Sequence, residues 1–191
     1  MLDLSLIDKS WTLFLDRDGV INVDKSPYTL SADQFEFYPD VPEKIAALSK
    51  ILGQVIVVTN QRGIGREMMT EKDLAAIHAK MVAQINDAGG HIDHIYYCPS
   101  VDNTHPDRKP NPGMALKAMQ EYPRILAVKS LIVGNNLSDM HFGRNAGFHT
   151  VLVGSTGTKV ELPHELVDLQ FPSLTSFADY LIKQLRSPAG D

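Results

Sequence analysis

Two acidic residues, Asp16 and Asp18, follow directly after the apolar run from Trp11 to Leu15. An apolar run of this length, rich in aromatic and aliphatic side chains, predicts a buried strand. Two adjacent carboxylates repel each other unless a cation or a proton lies between them. One carboxylate could accept a phosphoryl group as an aspartyl phosphate, while the other protonates the leaving oxygen and later deprotonates water. A solvated acidic turn is the alternative interpretation of this short motif.

Three further polar clusters could take part in phosphoryl transfer: Thr59 to Arg66, Arg108 to Pro110, and Gly134 to Asp139. The hydroxyl of Thr59 and backbone amides could hold phosphoryl oxygens, and the ammonium group of Lys109 could balance charge in the transition state. Because the nucleophile and the phosphate are both anionic, a divalent cation is also needed, and Mg²⁺ suits this role. Each cluster alone has an ordinary explanation as a turn or an exposed loop, so the prediction depends on their convergence.

Short apolar strands alternate with helical segments along the chain, which predicts a parallel α/β sheet. The predicted strands are 11–15, 54–58, 91–98, 130–133, 149–153 and 167–171. The predicted helices end near residues 50, 87, 121, 146 and 185, and residues 22–38 are expected to form an irregular flap. Asp40 is expected to cap the first helix, and Thr70 with Asp73 fits an approximate capping box. Since parallel strands end at one edge of the sheet, the four clusters should meet there.

The composition is typical of a globular protein of one domain, here residues 1–191, with 43% hydrophobic and 21% charged residues. The net charge of −5, without a basic block, argues against a nucleic-acid partner. The single cysteine excludes an intrachain disulfide and fits a reducing cytoplasm. The first ten residues do not fit a signal peptide, and no apolar run is long enough to span a membrane. We therefore expect a cytoplasmic protein with no membrane partner, and a monomer.

The four clusters, in this order, resemble the four motifs of the haloacid dehalogenase superfamily of phosphatases. The resemblance covers about residues 13–153 and points to one branch within the superfamily. Four stretches are similar to the capless branch that contains heptose bisphosphate and histidinol phosphatases, with the heptose enzymes as the closer match: residues 14–22, 57–66, 95–99 and 108–114. The resemblance implies a Rossmann-like three-layer α/β fold with a mainly parallel central sheet and no large cap domain.

The resemblance also implies a role for each site residue. Asp16 would be the nucleophile and Asp18 the general acid/base, while Thr59 and Lys109 would bind the transferring phosphoryl group. The implied ligands of Mg²⁺ are the carboxylate of Asp16, the backbone carbonyl of Asp18 and the side chain of Asn135. Asp139 would lie next to these ligands without contacting the metal itself. The implied candidates for orienting the substrate are Asn60, Gln61, Arg62 and Arg108.

Asn135 is the first departure from the family pattern, in which an aspartate ligates the metal at this position. An amide oxygen can still coordinate a hard cation, but one negative charge is lost. Two unit charges about 4 Å apart are worth roughly 4 kcal/mol at an effective dielectric of 20. We therefore expect weaker metal binding with activity retained, and Asp139 could supply part of the missing charge, indirectly or by holding Lys109.

The second departure concerns the structural Zn²⁺ site of many members of this branch. The corresponding positions hold Cys98 and Ser100, then His105 and Asp107. Serine is not a usual zinc ligand, and a closed structural site needs four ligands. We expect zinc to be absent and the proline-rich loop to hold itself rigidly, with a weak site at Cys98, His105 and Asp107 as the alternative.

The resulting hypothesis is a Mg²⁺-dependent phosphomonoesterase that acts on a small sugar phosphate. The resemblance favours removal of the 7-phosphate from D-glycero-D-manno-heptose 1,7-bisphosphate, a step toward lipopolysaccharide precursors. Histidinol phosphate is the alternative substrate. A relative that binds phosphosugars with weakened catalysis is the alternative of a different class.

Overall fold

A six-stranded parallel sheet forms the centre of the computed structural model, which describes residues 2–25, 28–154 and 160–186. The strands are β1 (Thr12–Leu15), β2 (Gln54–Asn60), β3 (His94–Cys98), β4 (Ser130–Gly134), β5 (His149–Val153) and β6 (Leu169–Phe171). Their order across the sheet is β3-β2-β1-β4-β5-β6, and each neighbouring pair is parallel. The predicted parallel α/β architecture is therefore confirmed.

Six α-helices connect or follow these strands: α1 (Val41–Ile51), α2 (Arg62–Gly65), α3 (Glu71–Asp87), α4 (Gly113–Glu121), α5 (Leu137–Ala146) and α6 (Leu174–Arg186). Three 3₁₀ turns, Leu4–Leu6, Ala32–Gln34 and Ala127–Lys129, complete the described elements. The short helix α2 and the 3₁₀ turns were not predicted, because they are too short to show hydrophobic periodicity. None of the described helices has the length and apolar character needed to cross a membrane.

Alternating side chains of the strands divide the core between the two faces of the sheet. Leu13 and Leu15 of β1 are fully buried in a cluster with side chains of α1, α3 and α6. Phe14 points to the opposite face, where it packs with side chains of α4 and α5. This two-residue alternation between two buried faces produces a three-layer sandwich.

Two local predictions at helix starts have different outcomes. The capping box before α3 is confirmed, since Thr70 Oγ1 accepts from the Asp73 amide at 3.2 Å and Asp73 Oδ2 accepts from the Thr70 amide at 2.8 Å. Asp40 occupies the predicted N-cap position of α1, but its side chain does not cap the helix. Asp40 precedes α1 in a left-handed conformation with φ of 62°, and its side chain makes no capping hydrogen bond. Side-chain capping uses an extended backbone, which this residue does not adopt.

The order of the strands creates a crevice at the carboxyl edge of the sheet. The chain proceeds outward from β1 to β2 and β3 on one side, and from β4 to β5 and β6 on the other. Ligands of open α/β sheets bind at such a switch point. Between β1 and α1, the described residues contribute only the 3₁₀ turn Ala32–Gln34 and isolated bridges, and residues 26 and 27 of the predicted flap lie outside the described ranges. No large cap covers the edge in the described structure.

Candidate active site

Asp16 is the first residue after β1, at the switch point between β1 and β4. Its amide donates to the carbonyl of Val133 in β4 at 3.0 Å, which extends the β1–β4 pairing by one residue. Its Oδ1 atom lies 2.8 Å from Lys109 Nζ and accepts from the Arg17 amide at 2.8 Å. Only 9% of Asp16 is exposed. The sheet therefore delivers one buried carboxylate, in a fixed orientation, to the edge where a ligand can enter.

Lys109 reaches Asp16 from the loop before α4. Its Nζ atom contacts Asp16 Oδ1 at 2.8 Å and Asp139 Oδ1 at 2.6 Å, and donates to the Val58 carbonyl at 2.9 Å. These three contacts use all three protons of the ammonium group. One buried cation is therefore shared between two buried carboxylates.

Asp139 is held on its other side by the start of α5. Its Oδ2 atom accepts from the Asn136 amide at 3.1 Å, and Asn136 completes the capping box of this helix. The same carboxylate thus caps α5 and anchors Lys109. Asp139 was expected to act either indirectly or by holding Lys109, and its contact with Lys109 agrees with the second of these.

The sharing of one cation between two acids affects the protonation of the pair. Burial raises the pKa of Asp16 to about 7; the ammonium group of Lys109 opposes this shift and the charge of Asp139 adds to it. Burial by itself would lower the pKa of Lys109, but the charges of Asp139 and Asp16 outweigh it and raise that pKa. With both carboxylates ionised, the single ammonium group leaves one excess negative charge, which a cation would balance.

Asp18 occupies a different environment two residues later. Its two carboxylate oxygens accept from Arg17 Nη2 at 2.9 and 2.8 Å, and further hydrogen bonds come from Asn22 Nδ2 at 3.0 Å and Gln61 Nε2 at 2.9 Å. Burial would raise the pKa of Asp18, but the Arg17 guanidinium and these hydrogen bonds hold it below its usual value. Asp18 is therefore stabilised as a carboxylate in this state of the protein.

Arg17, which sequence reasoning did not identify, is 1% exposed. Its Nη1 atom lies 3.2 Å from Nε2 of His78 in α3. Burial and the positive charge of Arg17 lower the pKa of His78 to about 3, so the ring is neutral and can accept a hydrogen bond from Arg17. The separation of 61 positions along the chain leaves no local sequence signal for this contact.

The end of β2 leads into the site. Thr59 and Asn60 are its last two residues, and Gln61 follows directly. The buried hydroxyl of Thr59 accepts from Gln61 Nε2 at 2.8 Å. The side-chain amide of Asn60 exchanges two hydrogen bonds of 3.1 Å with the backbone of Lys109. Asn60 and Gln61 therefore position Lys109 and Asp18 in this structure, and direct contact of either with substrate stays a prediction.

Asn135 lies against the glycine that follows Asp18. Gly19 has a φ of 81°, and a Cβ atom on it would lie 1.9 Å from Asn135 Nδ2. Only glycine suits both this backbone and this close approach. Asn135 is therefore beside the turn that carries the Asp18 carbonyl, where the resemblance places a metal ligand.

Arg62 in α2 and Arg108 in the loop before α4 meet at Asn103. The Asn103 Oδ1 atom accepts from Arg62 Nη2 at 2.5 Å and from Arg108 Nε at 3.3 Å. The structure thus brings the two predicted substrate-orienting arginines together. Asn103 is an exposed loop residue that the motifs did not single out.

The loop after β3 shows how the three candidate zinc ligands are used. Cys98 Sγ lies 3.6 Å from His105 Nδ1, which also accepts from the Asp107 amide at 3.1 Å. The carboxylate of Asp107 forms an ion pair with Lys117. Among the described residues, no group of three or more His, Cys, Asp or Glu side chains is arranged to hold a metal ion.

Comparisons with known proteins connect this site to phosphatases. The family model described as polynucleotide kinase 3 phosphatase matches residues 12–174. A D-glycero-beta-D-manno-heptose-1,7-bisphosphate 7-phosphatase of Neisseria meningitidis is 33% identical over 185 residues, which is 94% of this chain and 98% of that protein. A D-glycero-alpha-D-manno-heptose-1,7-bisphosphate 7-phosphatase of Burkholderia mallei is 40% identical over 158 residues, or 76% of this chain and 80% of that protein.

A solved structure gives the same result at the level of the fold. The D,D-heptose 1,7-bisphosphate phosphatase from B. bronchiseptica, complexed with magnesium and phosphate, superposes with a TM-score of 0.80 and 28% identity, over 91% of this chain and 99% of that chain. The chain therefore belongs to the haloacid dehalogenase superfamily of phosphatases, in the capless branch of the heptose bisphosphate phosphatases.

Proposed function

We propose that this phosphatase removes the 7-phosphate of D-glycero-D-manno-heptose 1,7-bisphosphate through an aspartyl-phosphate intermediate on Asp16. The observation that carries the proposal is the buried Asp16–Lys109–Asp139 group beside Asp18, at the open edge of the sheet. Relatives named as phosphatases of this bisphosphate cover most of the chain, which supports the choice of substrate.

In the first step, a carboxylate oxygen of Asp16 attacks the phosphorus atom, and the bond between phosphorus and the sugar oxygen breaks. Asp18 donates a proton to the departing oxygen, the hydroxyl of Thr59 donates to a phosphoryl oxygen, and the positive charge of Lys109 offsets the charge of the phosphoryl group. Since Arg17 favours the ionised form of Asp18, protonation of Asp18 has to accompany substrate binding.

In the second step, Asp18 takes a proton from water, and the water oxygen attacks the phosphorus atom. The bond between phosphorus and Asp16 breaks, which releases inorganic phosphate and restores both residues. The ionised form of Asp18 that Arg17 stabilises is the form this step requires.

The residues present fit Mg²⁺, the cation in the related B. bronchiseptica structure. The ion would be held by the carboxylate of Asp16, the backbone carbonyl of Asp18 and the side-chain oxygen of Asn135, all of which are oxygen ligands of the kind that Mg²⁺ prefers. Asp139 would not ligate the metal. It would contribute negative charge near the site and hold Lys109 in place. The bound ion would offset the repulsion between the Asp16 carboxylate and the phosphate.

Charge near the site favours a bisphosphate over histidinol phosphate. Arg62 and Arg108 lie in the segments that lead into the pocket, directly after Gln61 and directly before Lys109. Two guanidinium groups attract a second phosphate and repel the amino group of histidinol phosphate.

A protein that only binds phosphosugars, with weakened catalysis, is the less favoured alternative. Asp16, Asp18 and Lys109 all lie in the same site, and a binding protein would not need both the proposed nucleophile and the proposed acid/base.

The proposal is tested by phosphorus NMR of reactions with both anomers of heptose 1,7-bisphosphate, with histidinol phosphate as the competing substrate. We expect the resonance of the 7-phosphate to be replaced by inorganic phosphate, while the 1-phosphate remains on the sugar. The reaction should require Mg²⁺ and should be absent in Asp16→Asn. Loss of the 1-phosphate first, or faster turnover of histidinol phosphate, would contradict the proposed substrate.

A further inference from the structure

The outer part of the site contains a group of arginines that pair with no acidic side chain among the described residues. None of the ion pairs between described residues includes Arg62, Arg66 or Arg108. Arg66 lies over the ring of Tyr28, with its guanidinium carbon 5.8 Å from the ring centroid. Like charges gathered at one place disfavour each other unless an anion joins them.

The hydrogen-bonding capacity of this group is also incomplete. The Nε atom of Arg62 is buried and has no hydrogen-bond partner among the described residues. Burial, together with the positive charges of Arg62 and Arg66, lowers the pKa of Arg108. In the described structure, the N–H groups of Arg62 and Arg108 that do not bond Asn103 or the Ser100 carbonyl stay available to a ligand. An anion such as a phosphate would accept from them and supply the opposite charge.

Asn103 fixes the geometry of the two arginines that face each other. Its Oδ1 atom accepts from Arg62 at 2.5 Å and from Arg108 at 3.3 Å, and Arg108 Nη1 also donates to the Ser100 carbonyl at 3.2 Å. The amide oxygen orients both guanidinium groups but carries no net charge. A carboxylate at this position would orient them equally well and would cancel the attraction for an anion.

The position of the arginines decides which anion they can take. Arg108 is the neighbour of Lys109, whose ammonium group contacts Asp16, and Arg62 follows Gln61, which contacts Asp18. The two arginines therefore lie on the chain segments that border the phosphoryl pocket. We infer that Asn103 is a positioning residue, which holds Arg62 and Arg108 as a pair for the non-reacting phosphate of a bisphosphate substrate. This inference rests on the proposed function, whose substrate carries such a second phosphate.

The inference is tested by calorimetry with two ligands, heptose 1,7-bisphosphate and heptose 7-phosphate. All variants are made in the full chain on the Asp16→Asn background, so that no ligand is consumed. The ratio of the two dissociation constants isolates the contribution of the 1-phosphate, and a general weakening of the fold would not change it. We expect the Asp16→Asn parent to bind the bisphosphate at least 10-fold more tightly than the monophosphate, equivalent to about 1.4 kcal/mol.

Three variants distinguish positioning from loop stability. Asn103→Ala should reduce the preference for the bisphosphate at least fivefold, because the arginines lose their common acceptor. Asn103→Asp keeps the acceptor but adds a negative charge, and should reduce the preference at least as much. Thr104→Ala is the matched control, since its hydroxyl donates to Asp102 in the same exposed loop, and it should keep the parental ratio.

An unchanged ratio in Asn103→Ala, or an equal loss in Thr104→Ala, would overturn the inference. So would a parent that binds the two ligands equally. The binding measurements test the inference independently of whether the wild-type protein removes the 7-phosphate. A bisphosphate preference that depends on Asn103, in a wild-type protein that fails to remove the 7-phosphate, would support the inference and refute the proposed reaction.

Discussion

The pocket around Asp16 and the pocket around Asp18 adjoin each other but neutralise their carboxylates in different ways. Asp16 shares the single ammonium group of Lys109 with Asp139. Asp18 has the guanidinium of Arg17, which contacts both its oxygens, and two further amide donors. The first pocket therefore has an excess of negative charge, while the second is already balanced.

In the proposed mechanism, this difference gives two similar side chains separate roles. The charge excess at Asp16 would favour a divalent cation, and a bound cation favours the ionised, nucleophilic form of a carboxylate. The balanced pocket of Asp18 would keep that carboxylate in the form that takes a proton from water. Environments that shift the pKa values of neighbouring acids in opposite directions are a general way to divide catalytic roles.

Asp16→Asn should have the largest effect on activity, because it replaces the proposed carboxylate nucleophile by an amide, which is a poor nucleophile. We expect kcat to fall on the order of 10⁵-fold or more, as with other catalytic nucleophiles. Release of phosphate from an aryl phosphate, measured with Mg²⁺, checks this prediction. Residual activity within 100-fold of the wild type would show that Asp16 is not the nucleophile.

Asp18→Asn should reduce kcat by about 10²- to 10⁴-fold, the range typical of a general acid/base. The variant retains an oxygen that can accept from Arg17, so circular dichroism should show a folded protein. An aryl phosphate with a good leaving group needs less protonation than a sugar phosphate and should lose less in kcat/KM, which reports the first step and not the hydrolysis of the intermediate. Equal losses of kcat/KM with both substrates would argue against Asp18 as the acid in the first step.

Asn135→Asp should strengthen Mg²⁺ binding by roughly 10- to 100-fold, because it adds a negative charge where a ligand is expected. This is a part of the roughly 4 kcal/mol that an unscreened pair of charges about 4 Å apart would give at a dielectric of 20. Calorimetric titration of the metal-free protein with Mg²⁺ measures the change directly. An unchanged affinity would show that residue 135 does not face the cation.

The smallest predicted effect is a pH dependence of stability in the metal-free protein. The pKa of Asp16 is raised to about 7 in the fold, from an ordinary value of 3.8, so the folded state binds more protons than the unfolded state between these values. Stability should therefore decrease as pH rises from about 4 to about 7.

The corresponding measurement is the melting temperature in EDTA at pH 5 and pH 8. Asp16→Asn removes the titrating group and should reduce the difference between the two pH values by roughly 5 °C, since 1 kcal/mol shifts Tm by about 2–4 °C in a domain of this size. The same pH difference in the variant and the wild type would contradict the raised pKa of Asp16.

The sequence was sufficient to predict the sheet and the convergence of the main site residues. Apolar runs bounded by polar clusters identify β1, β2 and β4, and the geometry of parallel sheets brings their ends together. Asp16 and Thr59 follow from this rule without knowledge of any contact. Only small corrections were needed, such as the start of β3 at His94 instead of residue 91, since Asp93 Oδ2 accepts from the Val55 amide.

The contacts that differentiate the two acids could not be predicted in this way. Arg17 meets His78 across 61 residues, and Arg62 meets Asn103 across 41 residues. Hydrophobic periodicity indicates which face of an element is buried, but it does not indicate which polar side chains become partners across elements. A buried arginine between two acids and an exposed loop asparagine therefore look unremarkable until the fold brings them to their partners.

Chemical trapping of the intermediate tests the central claim most directly. Protein quenched during turnover of heptose 1,7-bisphosphate is treated with borohydride, which reduces an aspartyl phosphate to homoserine, and is then digested for mass spectrometry. We predict homoserine at residue 16, dependent on substrate and absent in Asp16→Asn. Homoserine at residue 18, or at neither position in the wild-type protein, would contradict the assignment of the two pockets.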